Sequence, residues 1–168
     1  LQFVEKSINE AMVNTGDEYL AFDKGGLGYL KNPERENPVG LMVGSLLGRI
    51  RDWLGLVGLS YLLVDDEILL DEMIETVADL CYKQTEFILS RGAKFDFAHY
   101  WEDICFKNGP LINPAFFDAK IGPHYKRLNK LVNSYGIEII SLDCDGLIDS
   151  LIPTWLNNGI NTMFPIEV

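Results

Sequence analysis

Basic side chains are scarce in this chain. Lys and Arg number 14 against 25 Asp and Glu, a formal charge of -11 over 168 residues. A nucleic-acid groove needs basic residues clustered on one face, so that class is excluded, as is docking on anionic lipid. No apolar run reaches the roughly 20 residues of a membrane span; the longest candidates are broken by charge, as at Arg49, Arg51 and Asp52. The opening LQFVEKSINEAM lacks a basic region followed by an apolar block, so it does not read as a secretory signal. It starts at Leu1, which reads as a fragment or a processed form. Cysteine is limited to Cys81, Cys105 and Cys144, with no CxxC spacing. An odd, scattered set fits free thiols in a reducing compartment, and a cytoplasmic protein is expected. HExxH, GxSxG and the lysine of a phosphate loop are missing too.

What is present is enough to build a core: 48% of residues are hydrophobic and 23% charged. Residues 1–38 read as a helical and loop segment. Val4, Ile8 and Met12 have amphipathic-helix spacing, Gly25-Gly26-Leu27-Gly28 reads as a surface loop, and KNPERENP (31–38) is rich in turn formers. Residues 39–168 carry alternating signals. A short strand is predicted over 39–46, then a helical period over 47–54. A long helix opens at Asp65-Asp66-Glu67, with Leu70, Ile74, Val77, Cys81 and Ile88 on one face, and stops at Arg91-Gly92.

A strand is predicted over 94–102, followed by a turn at Asn108-Gly109-Pro110. Asn113 is placed as an N-cap with Pro114 as first helical residue, and the helix is interrupted at Gly122-Pro123 before ending at Gly136. A strand over 137–142, a short helix over 148–158 with Pro153 near its start, and a strand over 160–164 complete the pattern. Such alternation implies parallel pairing through right-handed crossovers. The fold class is α/β, a doubly wound sheet or a (β/α) barrel, and ligands in either sit at the carboxyl ends of the strands. Four strand candidates would make a barrel incomplete.

Those strand ends read Trp101-Glu102-Asp103, Leu142-Asp143-Cys144-Asp145 and Ile166-Glu167. Carboxylates crowded at one rim raise each other's pKa unless a cation relieves them. They point to a metal site, a cationic ligand or an acid/base pair; the alternative is helix capping, which Asp145 fits well. Cys144 reads as a metal ligand, a nucleophile or a small buried residue. His99, mid-strand among aromatics, and His124, after Pro123, read as packing or surface residues.

The order LLGRIRDWLG (46–55), a long helix, GAKFDFAHYWEDICFKNGPLINP (92–114) and PHYKRLNKLVNSYGIEIISLDCDG (123–146) resembles the uroporphyrinogen decarboxylase superfamily over about residues 39–168. The resemblance implies a (β/α)8 TIM-barrel type fold of which this chain covers only part, completed by a missing barrel half or by a homo-oligomer. It also implies an enzyme of methyl transfer, moving a methyl group with a corrinoid or thiol acceptor, or the decarboxylase of haem biosynthesis. A non-catalytic, ligand-binding barrel fragment is the third expectation.

Family methyltransferases bind zinc through a His-x-Cys where this chain has Leu142-Asp143-Cys144; Cys144 matches and Leu142 departs. The implied zinc would be held by Cys144 and Asp143, with Glu102 as another oxygen candidate. Glu102, Asp103 and Asp143 are the candidate catalytic groups, and Arg49, Trp101 and Glu167 the candidate substrate-binding ones. A corrinoid would come with a partner protein, since this chain has no Asp-x-His-x-x-Gly motif. The decarboxylase alternative needs a cationic pocket for an eight-carboxylate substrate, for which only Arg49 and Arg51 are at hand.

Overall fold

The computed structural model describes residues 26–167; the helix expected around Val4, Ile8 and Met12 lies outside them. A one-turn helix α1 (Leu27–Lys31) is followed by β1 (Gly40–Gly44), α2 (Leu47–Asp65), α3 (Glu67–Ser90) and β2 (Phe97–Trp101). A two-stranded hairpin, β3 (Cys105–Phe106) and β4 (Gly109–Pro110), leads to α4 (Pro114–Phe116), a π-helical turn (Phe117–Ile121), α5 (Gly122–Ser134), β5 (Ile139–Asp143), α6 (Ile152–Asn157) and β6 (Thr162–Phe164). β1, β2, β5 and β6 form one four-stranded sheet in that order, every pair parallel. The alternation read from the sequence is therefore present as a parallel α/β sheet.

Local signals explain most boundaries. The side chain of Asp66 accepts the Leu69 N–H and caps α3, and Asn113 accepts the Ala115 N–H ahead of Pro114. Gly136, at positive φ, closes α5. The expected break at Gly122-Pro123 is the π turn just before it; proline lacks an N–H and cannot sit inside a regular α ladder. One expectation is corrected: Leu27–Lys31 is helical rather than loop, its buried Leu30 giving it an anchor. The helical period read over 47–54 is present and is interrupted at Gly55, whose non-helical φ of 69 kinks the chain; a second helical stretch, which the sequence did not announce, continues to Asp65, and the two together make up α2.

The sheet has two unlike faces. Side chains alternate along a strand, so Leu41, Val43, Ala98, Tyr100, Ile140 and Leu142 all point to one side, where they are buried in a single apolar cluster with Leu70, Ile74, Val77, Leu128 and Val132 of the helices. On the other side stand Met42, His99, Trp101, Ser141, Asp143 and Phe164, with Met42 at 60% and Phe164 at 43% exposure. Among the described residues, no helix is long and apolar enough to cross a membrane.

Candidate functional site at the strand ends

All four parallel strands finish at the same edge, so period-two alternation decides which rim residues meet. Glu102 keeps step with Ala98 and Tyr100 and goes to the helix side. There it is fully buried, accepting the N–H groups of Leu46 (3.0 Å), Leu47 (3.0 Å) and Gly48 (2.6 Å), the Ser45 hydroxyl (3.1 Å) and the Tyr125 hydroxyl (2.5 Å). These amides are the free donors at the start of α2, where the helix dipole favours an anion. Burial raises the Glu102 carboxyl, and the hydrogen bonds from Tyr125, Gly48, Leu46 and Ser45 pull it back. Every partner is a donor, the arrangement of a carboxylate that completes a helix. A Cβ on Gly48 would fall 2.1 Å from the Glu102 carbonyl oxygen, so the contact admits only glycine there.

Cys144 follows the same parity, in step with Ile140 and Leu142, and is buried. Its thiol reaches the Asp145 carbonyl at 3.6 Å and hydrogen-bonds Cys105; that bond and burial push it well above the usual thiol range. Leu142 is fully buried toward the helices.

The opposite parity supplies the rim. Asp103, Asp143 and Asp145 bring carboxylate oxygens within 4.8 Å of one another. Asp103 sits at φ 47, a left-handed conformation that aspartate tolerates better than most residues; Arg51 donates to its carbonyl oxygen at 2.6 Å, and it accepts the Asp145 N–H at 3.4 Å. Partial burial raises the Asp143 carboxyl, Asp103 and Asp145 raise it further, and His99 opposes them. Among the described residues, no basic side chain forms an ion pair with any of the three. Beside them the Arg49 guanidinium lies 5.0 Å over the Trp101 ring. Glu167 accepts the Gly146 N–H at 3.0 Å.

Of the residues singled out from the sequence, Asp103 and Asp143 therefore meet at the rim, Arg49 and Trp101 stack together, and Glu167 ties down the following loop. Glu102 and Cys144 lie beneath, on the helix side. Asp145 joins the rim directly; among the described residues its side chain caps no helix. His124 faces Glu75 at 3.6 Å on the helical surface. Sequence reasoning passed over Ser45 and Tyr125, which hold Glu102. Strand parity was the available signal: Glu102 is two residues past the core Tyr100.

The resemblance implies a zinc held partly by thiolate. The residues do not fit it: the three groups that converge are all oxygen donors, Leu142 at the histidine position is enclosed, and the Cys144 thiol is free but buried and hydrogen-bonded to Cys105. An oxygen set of this kind is one that a hard divalent cation accepts. Comparison of the chain with protein-family models, curated proteins and solved structures finds no match.

Proposed function

We propose that the chain supplies consecutive strands of a (β/α)8 barrel resembling the uroporphyrinogen decarboxylase superfamily, and that it acts as a methyltransferase on a small molecule held at the acidic rim. The observation behind this reading is the convergence of Asp103, Asp143 and Asp145 at the carboxyl ends of parallel strands, none of them ion-paired to a basic side chain among the described residues. Barrels place their chemistry on that face.

The chemistry is assigned to carboxylates rather than to Cys144. Asp143, raised by burial and by its two neighbours, retains a proton more readily than an ordinary carboxyl. A thiolate acceptor forms the new S–CH3 bond as the methyl–heteroatom bond of the donor breaks. The bonding pair leaves on the heteroatom, which takes the proton from Asp143. Arg49, exposed beside Trp101, is the cation available to an anionic tail of donor or acceptor. A corrinoid acceptor would arrive on a partner protein.

Decarboxylation of uroporphyrinogen is the second reading, because a protonated Asp143 would also suit protonation of the carbon left by carbon dioxide. It ranks lower on charge, since a polycarboxylate meets three carboxylates.

The test incubates the full chain with methoxyarenes, methyl thioethers and methylamines, with 2-mercaptoethanesulfonate as acceptor, and reads products by mass spectrometry. Methylated thiol is expected, and Asp143→Asn should lower kcat/KM by about 100-fold or more, the usual weight of a general acid. Carbon dioxide release from uroporphyrinogen, with no methylated thiol from any donor, would replace methyl transfer by decarboxylation. Tight ligand binding without turnover in either assay would leave a binding protein.

A further inference from the structure

His99 lies at the middle of β2 on the open face of the sheet, stacked on Phe164 with ring centroids 5.4 Å apart and planes 17° from parallel. Its Nδ1 is 3.0 Å from the Ser141 hydroxyl, directly opposite on β5. That hydroxyl is also 3.1 Å from the Ala98 carbonyl oxygen. A serine carries one hydroxyl hydrogen, and a carbonyl oxygen can only accept. The arrangement that makes both contacts hydrogen bonds has Ser141 giving its hydrogen to Ala98 and accepting from the imidazole, with the proton on Nδ1. In a neutral ring Nε2 must then hold a lone pair. Nε2 makes no hydrogen bond to any described residue, and it is not among the enclosed unpartnered polar atoms of the protein. It is an open acceptor on the exposed side of the sheet.

Its surroundings favour the neutral ring. Burial lowers the His99 pKa, and Asp143, the charged group that acts on it, raises it by less. Asp143 lies on the same strand face as Ser141, two residues further along β5.

We propose that His99 is a second catalytic residue: its Nε2 accepts the S–H or O–H proton of the acceptor substrate at the rim. This rests on the methyl-transfer reading and deepens it. The S–H bond breaks, its electron pair stays on sulfur, and the proton forms Nε2–H; the thiolate then attacks the methyl carbon while Asp143 protonates the departing heteroatom. His99 works as base and Asp143 as acid, so the proton gained by one and lost by the other restores both by exchange with solvent. Once its own proton has left, the Asp143 carboxylate stabilises the imidazolium, and Ser141 holds the ring in the tautomer that leaves Nε2 free.

Two measurements test this. Long-range 1H–15N spectra of the 15N-labelled full chain should show Nδ1 protonated and Nε2 unprotonated in His99, and Ser141→Ala should shift the ring toward Nε2–H. An Nε2–H tautomer in the wild type would overturn the assignment whatever the activity. In the second arm, His99→Gln is assayed with an aliphatic thiol, 2-mercaptoethanesulfonate, and with thionitrobenzoate, an aromatic thiol already ionised at neutral pH. The variant should lose about 100-fold with the first and little with the second, which needs no base. Asp143→Asn should lose activity with both. Equal losses with the two thiols in His99→Gln would make His99 a structural residue and sink the proposal. A wild type inactive with both thiols would instead remove the methyl-transfer reading and this base with it, while the spectra still decide the tautomer.

Discussion

Glu102 and Asp143 stand at the ends of adjacent strands, yet the chain treats them in opposite ways. Glu102 is enclosed with five donors around it, three of them the first amides of α2. Asp143 has carboxylates for neighbours and is only partly buried. Burial raises both pKa values, but only Glu102 is compensated by donors. The lesson is that partners, not residue type, separate an architectural carboxylate from one left open to chemistry: the first is satisfied by donors, the second is left in conflict that a proton or a ligand can relieve.

Breaking the satisfied side should cost the most. Glu102→Ala leaves three amides, a serine and a tyrosine hydroxyl without their acceptor, and should lower the unfolding free energy by roughly 4 kcal/mol, read by urea denaturation. Glu102→Gln, which keeps the shape and one acceptor oxygen, should lose less. A Glu102→Ala variant as stable as the wild type would show that the nest does not hold α2 in place.

On the reactive side, a ligand should stabilise. Ca2+ or Mg2+ at a hundred times its dissociation constant should add about 2.7 kcal/mol, seen as a rise in Tm that Asp103→Asn or Asp145→Asn removes. A flat melting temperature would show that the triad takes no hard cation, and would leave proton transfer as its remaining role.

The smallest effect sharpens the contrast further. Asp143→Asn removes a repelled charge and should make the protein slightly more stable at neutral pH, by less than about 1 kcal/mol for a group this open. The folded Asp143 carboxyl is raised above its ordinary value of 3.8. The folded protein thus binds this proton more tightly than the unfolded chain does. That stabilisation is complete below the unfolded value and is lost as pH rises through the folded one. The advantage of the variant over the wild type should therefore shrink as the medium is acidified toward 3.8. An advantage that grows on acidification would contradict the direction of the shift.

Much of the fold was legible because its signals are local. Asp66, Asn113-Pro114 and Gly136 mark helix ends by their own chemistry, and the strand after each helix was short and apolar. The helical stretch after Gly55 was not legible, since it is apolar on nearly every side: Val57, Tyr61 and Val64 are all more than 60% exposed, and no polar stripe sets a period. The site was readable in composition but not in grouping. That carboxylates gather at strand ends follows from the pattern; that Asp103, Asp143 and Asp145 form the cluster while Glu102 turns away depends on strand parity and on the left-handed Asp103. His99 and Ser141, 42 residues apart, meet only through the register of β2 on β5, which no local signal encodes.

The contact between Glu102 and the start of α2 also bears on how the molecule folds. The amides of Leu46, Leu47 and Gly48 find their acceptor 54 to 56 residues downstream, beyond the whole of α2 and α3. The first turn of that helix cannot be completed by its own segment. That contact needs the second strand brought back across the intervening residues, a closure whose entropy cost comes before any reward. Strand and helix origin are thereby joined in one cooperative unit, so that fraying at one end exposes the other, and the amide hydrogens of a helix's first turn, ordinarily quick to exchange, acquire the persistence of the core.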